Sequence, residues 1–314
     1  MVMDRKYINE LSKIKLNEKR YVACIGFFDG IHKGHQALIE KTTQLAKEKN
    51  LKSMLITFDP DPWSVLNKGS NVKHITPLKR KQRLIEDMGI DTLIILKFNS
   101  DFSQLSPDNF VHQVLMGLGV VELVVGSDFK FGFKGQGNVE LLKHTYDHLI
   151  TTHEITIKEN DQVKIGTTQI TQTILNGAVD KTIAFLGRPY EISGFIIDGR
   201  KVGRTLGFPT ANIKVEDEYV IPKVGVYAGT LQVKGKTYMS VVNIGYNPTV
   251  NHRDDISIES YILDFDQDIY GEVVHQSFVK RLRDEMKFDS VEDLVAEMQK
   301  DVKKTRELLE KDFQ

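Results

Sequence analysis

Cysteine is almost missing from this chain: Cys24 is the single one in 314 residues, so no internal disulfide can form and a reducing compartment is the natural setting. It sits in the apolar run Tyr21-Val22-Ala23-Cys24-Ile25, where a buried strand thiol is the plain reading. Long hydrophobic stretches are missing as well. No run approaches the ~20 apolar residues that a spanning helix needs, and the first residues are too polar for a signal peptide. An excess of one charge is also absent. Lys+Arg of 42 against Asp+Glu of 43 leaves a formal charge of −1, with no overall pull toward nucleic acid or anionic lipid. Neither an internal repeat nor a low-complexity tract interrupts the chain. The expectation is a cytoplasmic, soluble protein with no nucleic-acid or membrane partner and an open oligomeric state.

What is present is ordinary globular material, 40% hydrophobic and 27% charged. The length is about twice that of a typical domain, and each half is long enough to bury its own core. Residues 21–157 alternate short apolar runs with longer amphipathic ones. Strands are expected at 21–28, 53–58, 92–98, 122–125 and 149–157, with helices at 36–49, 78–88, 107–118 and 139–146. Ser106-Pro107 supplies a capping hydroxyl and then proline at the first helical position. This alternation predicts an α/β domain, a doubly wound, Rossmann-like parallel sheet with ligands beyond the carboxyl ends of its strands.

After Thr168 the pattern changes. A helical pair at 170–176 and 179–186, broken by Gly177, leads to the turn-like Gly187-Arg188-Pro189. Beyond it only strand-like runs follow, at 192–197, 226–233, 237–244, 257–265 and 272–279, with Lys234-Gly235 as a hairpin turn. They predict a small antiparallel β-barrel. A terminal helix closes the chain, capped by Ser290, with Val291, Leu294, Val295, Met298, Val302 and Leu309 on one face. The domains are placed at 1–186 and 187–314.

Two strings carry chemistry. Gly26-Phe27-Phe28-Asp29-Gly30-Ile31-His32-Lys33-Gly34-His35 follows the first apolar strand and opens a helix. Gly30 and Gly34 let the backbone turn and approach a ligand, and free N–H groups at a helix start hold phosphate oxygens. His32 and His35 can donate hydrogen bonds to a triphosphate as charge builds on it. A metal fragment or two solvated side chains are the alternatives for such a pair. The second string runs Gly199-Arg200-Lys201-Val202-Gly203-Arg204-Thr205-Leu206-Gly207-Phe208-Pro209-Thr210-Ala211-Asn212. Glycines at 199, 203 and 207 suit a loop folded over phosphates, or a flexible barrel hairpin.

The first string resembles the FMN adenylyltransferase module of bacterial bifunctional riboflavin kinase/FAD synthetases. The likeness continues through Thr57-Phe58-Asp59-Pro60-Asp61-Pro62, Leu105-Ser106-Pro107 and Val125-Gly126-Ser127-Asp128-Phe129-Lys130-Phe131-Gly132. The Pro-Thr-Ala-Asn string resembles the riboflavin kinase module, and the resemblance covers nearly the whole chain. It implies riboflavin, FMN and ATP as substrates and Mg²⁺ as cofactor. It implies His32 and His35 as catalytic groups of adenylyl transfer, with Gly26, Asp29, Gly30, Gly34 and Thr168 at that nucleotide, Thr168 capping a helix near phosphate. For the kinase it implies Glu259 as the base, Thr210 and Asn212 at the metal, and Gly199, Gly203, Arg204, Gly207 and Asn212 at the nucleotide. Asp128, Gly225, Tyr227 and Arg283 are implied at the flavin. The loop Asn243-Ile244-Gly245-Tyr246-Asn247-Pro248-Thr249 also fits the family pattern.

The chain departs from that pattern in its first half. Asp61 stands where the family has histidine, Ser127 replaces an aromatic, Lys130 replaces arginine, and Asn138 replaces an acid. The family's Ile-Ser-Ser-Thr-x-x-Arg appears as Ile165-Gly166-Thr167-Thr168-Gln169-Ile170-Thr171, with threonine in place of a permanently charged clamp on the triphosphate. The expectation is therefore FAD synthesis slower than FMN synthesis. The alternatives are a riboflavin kinase with a weakened adenylyltransferase module and a non-catalytic flavin sensor.

Overall fold

A strand apolar at every position needs cover on both faces, and Tyr21–Ile25 (β2) is buried at all five of its positions. It lies within a six-stranded sheet with β1 (Asp4–Ile8), β3 (Lys52–Asp59), β4 (Thr92–Lys97), β5 (Val120–Gly126) and β8 (Thr151–Ile155). The order is β1-β4-β3-β2-β5-β8 and every pairing is parallel. The computed structural model describes residues 2–14, 18–66, 72–155, 166–199, 207–246 and 256–310, in two compact units, Met1–Ile165 and Gly166–Gln314.

The residues of β2 alternate between two cores. Val22 and Cys24 pack with Leu38, Ile39 and Leu45 of α1 (Lys33–Glu48) and with Ile85 of α3 (Leu78–Asp87). Ala23 and Ile25 pack on the other side with Phe110, Val111, Val114 and Leu115. Those four belong to a helical stretch that Ser106 caps, accepting from the Asn109 N–H at 3.1 Å, and that widens into a π-helix over Phe110–Met116. Short helices α2 (Pro62–Leu66) and α4 (Ser100–Ser103) follow β3 and β4. A two-stranded hairpin, β6 (Lys130–Phe131) with β7 (Gly137–Asn138), precedes α6 (Val139–Thr145). The sequence reading misses β1, whose Asp4, Arg5 and Lys6 are exposed and show no apolar alternation.

In the second unit a closed barrel forms in the order β10-β13-β12-β11-β14-β9. Its strands are β9 (Tyr190–Ile197), β10 (Thr210–Lys214), β11 (Gly225–Val233), β12 (Lys236–Tyr246), β13 (Ile256–Ile262) and β14 (Val273–Arg283), all antiparallel. Lys234 and Gly235 both take positive φ, 50° and 75°, as a tight hairpin between β11 and β12 requires. Helices α7 (Thr167–Leu175) and α8 (Val179–Leu186) are grouped with the barrel, whereas the sequence reading places them with the first domain. The reason is apolar burial: Val179 and Leu186 are almost fully covered, and a side chain at Gly177 would meet Arg281 and Tyr227 of the barrel. The terminal helix α9 (Val291–Leu309) starts on Ser290, whose hydroxyl accepts from the Asp293 N–H at 3.1 Å. Its covered face is the expected one apart from Val291, which is exposed: Leu294, Val295, Met298 and Val302 are half-buried and Leu309 is buried, with Asp301 and Thr305 buried beside them.

Candidate active sites

The first string occupies the switch point of the parallel sheet. β2 has β3 on one side and β5 on the other, so chain crossovers leave in opposite directions beside its carboxyl end. There the backbone turns sharply: Phe28, Gly30 and Ile31 have φ of 56°, 79° and 39°. His32 is the N-cap of α1, its Nδ1 accepting from the His35 N–H in a long contact of 3.4 Å. The bonded nitrogen lacks a proton, so a neutral His32 keeps its donor on Nε2. The His32 and His35 rings stack at 3.7 Å between centroids, and Phe28 meets His35 edge-on at 5.1 Å. Burial first, then His32 and Lys81, hold His35 well below the ordinary histidine range. Its Nδ1 is buried with no hydrogen-bond partner among the described residues. The structure thus joins a helix start, Gly34 within its first turn, and two stacked imidazoles. Asp128 lies on the turn after β5, the strand paired with β2, and is exposed.

Behind this turn lies a scaffold that the sequence reading passed over. The buried Asp29 carboxylate accepts from the N–H groups of Ile75 at 3.1 Å and Thr76 at 2.8 Å. Gly30 N–H donates to Thr76 Oγ1 at 2.6 Å. Asp29, expected at the nucleotide, holds the turn as well. The Phe27 carbonyl accepts twice, from Thr57 Oγ1 at 3.1 Å and from Lys81 Nζ at 2.5 Å. Lys81 is 2% exposed, and its ammonium lies 3.9 Å from the centre of the Phe27 ring. Asp61 is buried and engaged locally, accepting from Trp63 N–H at 2.7 Å with His74 Nδ1 3.7 Å away. Asn138 caps α6 through the Leu141 N–H at 2.8 Å. One signal was available for the scaffold: Ile75-Thr76-Pro77 precedes a helix and carries a hydroxyl.

Of the second string, Gly199 and residues 207–212 are described, and Thr210–Asn212 lie on β10 of the barrel. Strand alternation buries Ile258, Ser260 and Ile262 and turns Glu259 and Tyr261 outward. Asn212 of β10 and Asn243 of β12 stand opposite Glu259 on either side. Thr210 Oγ1 donates to Glu259 Oε2 at 3.2 Å. Hydroxyl, carboxylate and two amides therefore share one outward row. Gly199 presses on it so closely that a Cβ would lie 1.9 Å from Asn212 Nδ2. Gly207, at φ 80°, turns the chain so that Phe208 packs edge-on against Tyr261 at 5.1 Å. A pocket of about 430 Å³ opens beside Thr210, lined also by Pro209, Ile262, Phe265 and Tyr270. The segment 265–270 was another gap in the sequence reading. Arg200, Lys201, Val202, Gly203, Arg204, Thr205 and Leu206 lie outside the described residues, as do Ile165 and Asn247-Pro248-Thr249.

The surroundings of four further expected residues are set within the chain itself. Arg283 places Nε 3.0 Å and Nη2 2.8 Å from Asp301, which is 1% exposed, so its guanidinium ties α9 to the barrel. Tyr227 is fully buried, its hydroxyl donating to the Lys223 carbonyl and its ring edge-on to Phe278. Gly225, at φ 147°, admits no side chain, because a Cβ would lie 2.6 Å from the Arg283 carbonyl oxygen. Thr168 does not cap α7. Gly166 is its N-cap, without a side-chain bond, and Thr168 is an exposed residue of the first turn.

Similarity to known proteins follows the same division. A family model described as FAD synthetase matches residues 14–173, and one described as riboflavin kinase matches 186–309. A bifunctional riboflavin kinase/FMN adenylyltransferase of Listeria monocytogenes is 42% identical over 91% of this chain and 91% of its own. The protein so named in Bacillus subtilis is 38% identical over 92% of each chain. A solved Streptococcus pneumoniae structure titled a macrolide-efflux protein is 31% identical, with a TM-score of 0.90 over 97% of this chain and 99% of that one. Matched from end to end at this identity, the chain belongs to the bifunctional riboflavin kinase/FMN adenylyltransferase family.

Proposed function

We propose that this chain makes flavin nucleotides in two ATP-dependent steps, phosphorylating riboflavin to FMN within residues 187–314 and adenylylating FMN to FAD within residues 1–186. The observation that carries the kinase reading is the 3.2 Å bond from Thr210 to Glu259 in a row shared with Asn212. Glu259 accepts the proton of the riboflavin 5′-hydroxyl as that oxygen bonds to the γ-phosphorus of ATP and the bond to ADP breaks. The adjoining pocket, lined by Pro209, Thr210 and Ala211, suits the nucleotide.

Hard oxygen donors and few protein ligands suit Mg²⁺, which keeps waters and phosphate oxygens as its other ligands. Thr210 and Asn212 are the residues to hold it, and when bound it neutralises phosphate charge. In the first unit, an FMN phosphate oxygen bonds to the α-phosphorus of ATP and pyrophosphate leaves. The start of α1 and His32 and His35 receive the triphosphate, with Gly26, Gly30 and Gly34 clearing its approach. Asp128 stands on the adjacent strand end for the flavin.

The relatives matching both halves are named for both activities, and nothing favours the reading of a weakened module. A sensor has no use for a base. No helix among the described residues is long and apolar enough to cross a membrane, and buried Cys24 suits the cytoplasm we assign. The test is purified protein with riboflavin, ATP and Mg²⁺, FMN and FAD being separated by chromatography. Absence of FMN refutes the kinase reading, and absence of FAD refutes the adenylyltransferase reading.

A further inference from the structure

We propose that Lys81 is a positioning residue for adenylyl transfer, its buried ammonium fixing the Phe27 carbonyl and with it the turn that receives the triphosphate. The inference rests on the first-site reading above. Lys81 stands on α3, far along the chain from the glycine turn, yet its Nζ lies 2.5 Å from the Phe27 carbonyl oxygen and 3.9 Å from the centre of the Phe27 ring. A lysine that is 2% exposed loses nearly all its hydration, and such burial persists only where the charge is answered. Here it is answered by the carbonyl, by the face of the ring and by three carboxylates that act on it, Asp29, Asp61 and Asp59.

The consequence is geometric and electrostatic together. Phe27 O is held from two elements, β3 through Thr57 and α3 through Lys81, which fixes the peptide just before the strained Phe28. The three carboxylates by themselves oppose a polyanion on the same turn, and the ammonium offsets them. Misplacement of a binding turn by about 1 Å can cost on the order of a hundredfold in rate.

This arrangement titrates at an accessible pH. The groups acting on Lys81 are Asp29 in the turn, Asp59 at the end of β3, Asp61 just after it, and His35 on α1, with His74 tilted against the Phe27 ring at 5.4 Å between centroids. Burial, partly opposed by Asp29, Asp61 and Asp59, brings Lys81 down from 10.5 to about 8. His35 is held well below 6.5, and Tyr7, bonded to Asp59, is pushed up to about 12, so neither changes charge near pH 8. The cation exists below about 8, so FAD formation falls as pH rises through that value. FMN formation, which runs on other residues, does not follow that limb.

The experiment measures FAD formation from FMN and ATP, and FMN formation from riboflavin, across pH 6.5–9.5 for the wild type, Lys81→Met and Lys81→Arg. Lys81→Met should lower kcat for FAD at pH 7 by on the order of tenfold or more and abolish the limb near pH 8, leaving FMN formation unchanged. Lys81→Arg, permanently charged, should keep FAD formation at pH 9 closer to its value at pH 7. Intact FMN formation and an unchanged far-ultraviolet circular dichroism spectrum report a folded chain, and if the methionine variant aggregates, the arginine variant decides. A folded variant of either kind that keeps the wild-type rate and the wild-type limb overturns the inference while leaving the first-site reading standing. A wild type that forms no FAD overturns both.

Discussion

Replacing Glu259 by glutamine tests the kinase site at its most specific point. The variant keeps the shape of the side chain and a carbonyl oxygen able to accept from Thr210 Oγ1, now 3.2 Å from Oε2. It removes the basicity that takes the proton from the ribityl hydroxyl. General-base groups contribute about 10²–10⁴-fold, and at about 1.4 kcal/mol per decade the loss is roughly 3–6 kcal/mol of transition-state stabilisation. Almost all of it should appear in kcat, because the outward row of Asn212, residue 259 and Asn243 keeps its register on three paired strands. The assay is steady-state FMN formation by chromatography at saturating ATP and Mg²⁺, with riboflavin binding measured separately by flavin fluorescence. FMN formation near the wild-type kcat refutes the assignment of Glu259 as the base. Equal losses of flavin affinity and rate refute it too, since they indicate a disturbed site instead of a missing base.

Thr210→Ala should raise the Mg²⁺ concentration needed for half-maximal FMN formation more than it raises KM for riboflavin, and an unchanged Mg²⁺ dependence removes Thr210 from the metal. Residues 166–314 alone should fold and phosphorylate riboflavin. Residues 187–314 should be less stable by several kcal/mol, because Val179 and Leu186 are covered and each buried aliphatic side chain is worth about 1.5–3 kcal/mol; equal denaturation midpoints refute this.

The parallel sheet was legible because β2 to β5 are apolar runs that helices must cover on both faces, and that requirement leaves a plain mark on composition. β1 left no mark. An edge strand needs only backbone pairing, and its charged Asp4, Arg5 and Lys6 are ordinary devices against edge-to-edge association. β10 was hidden for a related reason. Thr210-Ala211-Asn212 reads as the end of a loop, and its place between β9 and β13 becomes visible only when the barrel closes.

At the sites, the residues read correctly as neighbours are those bound by short sequence spacing: His32 with His35 across one helical turn, Thr210 with Asn212 on one strand face. Others have partners far along the chain that spacing does not reveal. Arg283, expected at the flavin, pairs with Asp301 on α9, and Asp29, expected at the nucleotide, accepts from Ile75 and Thr76. Lys81 is the converse case. In the run Leu78-Lys79-Arg80-Lys81 it is one cation among three, and only the fold turns it inward. A buried charge is never neutral in its consequences, because it must be answered by every element around it. The departure that reads as a loss in sequence, Asp61 in place of histidine, therefore has a physical context: it stands among the carboxylates that act on the Lys81 ammonium. Whatever removes that lysine leaves three acids around the turn that must receive a polyanion.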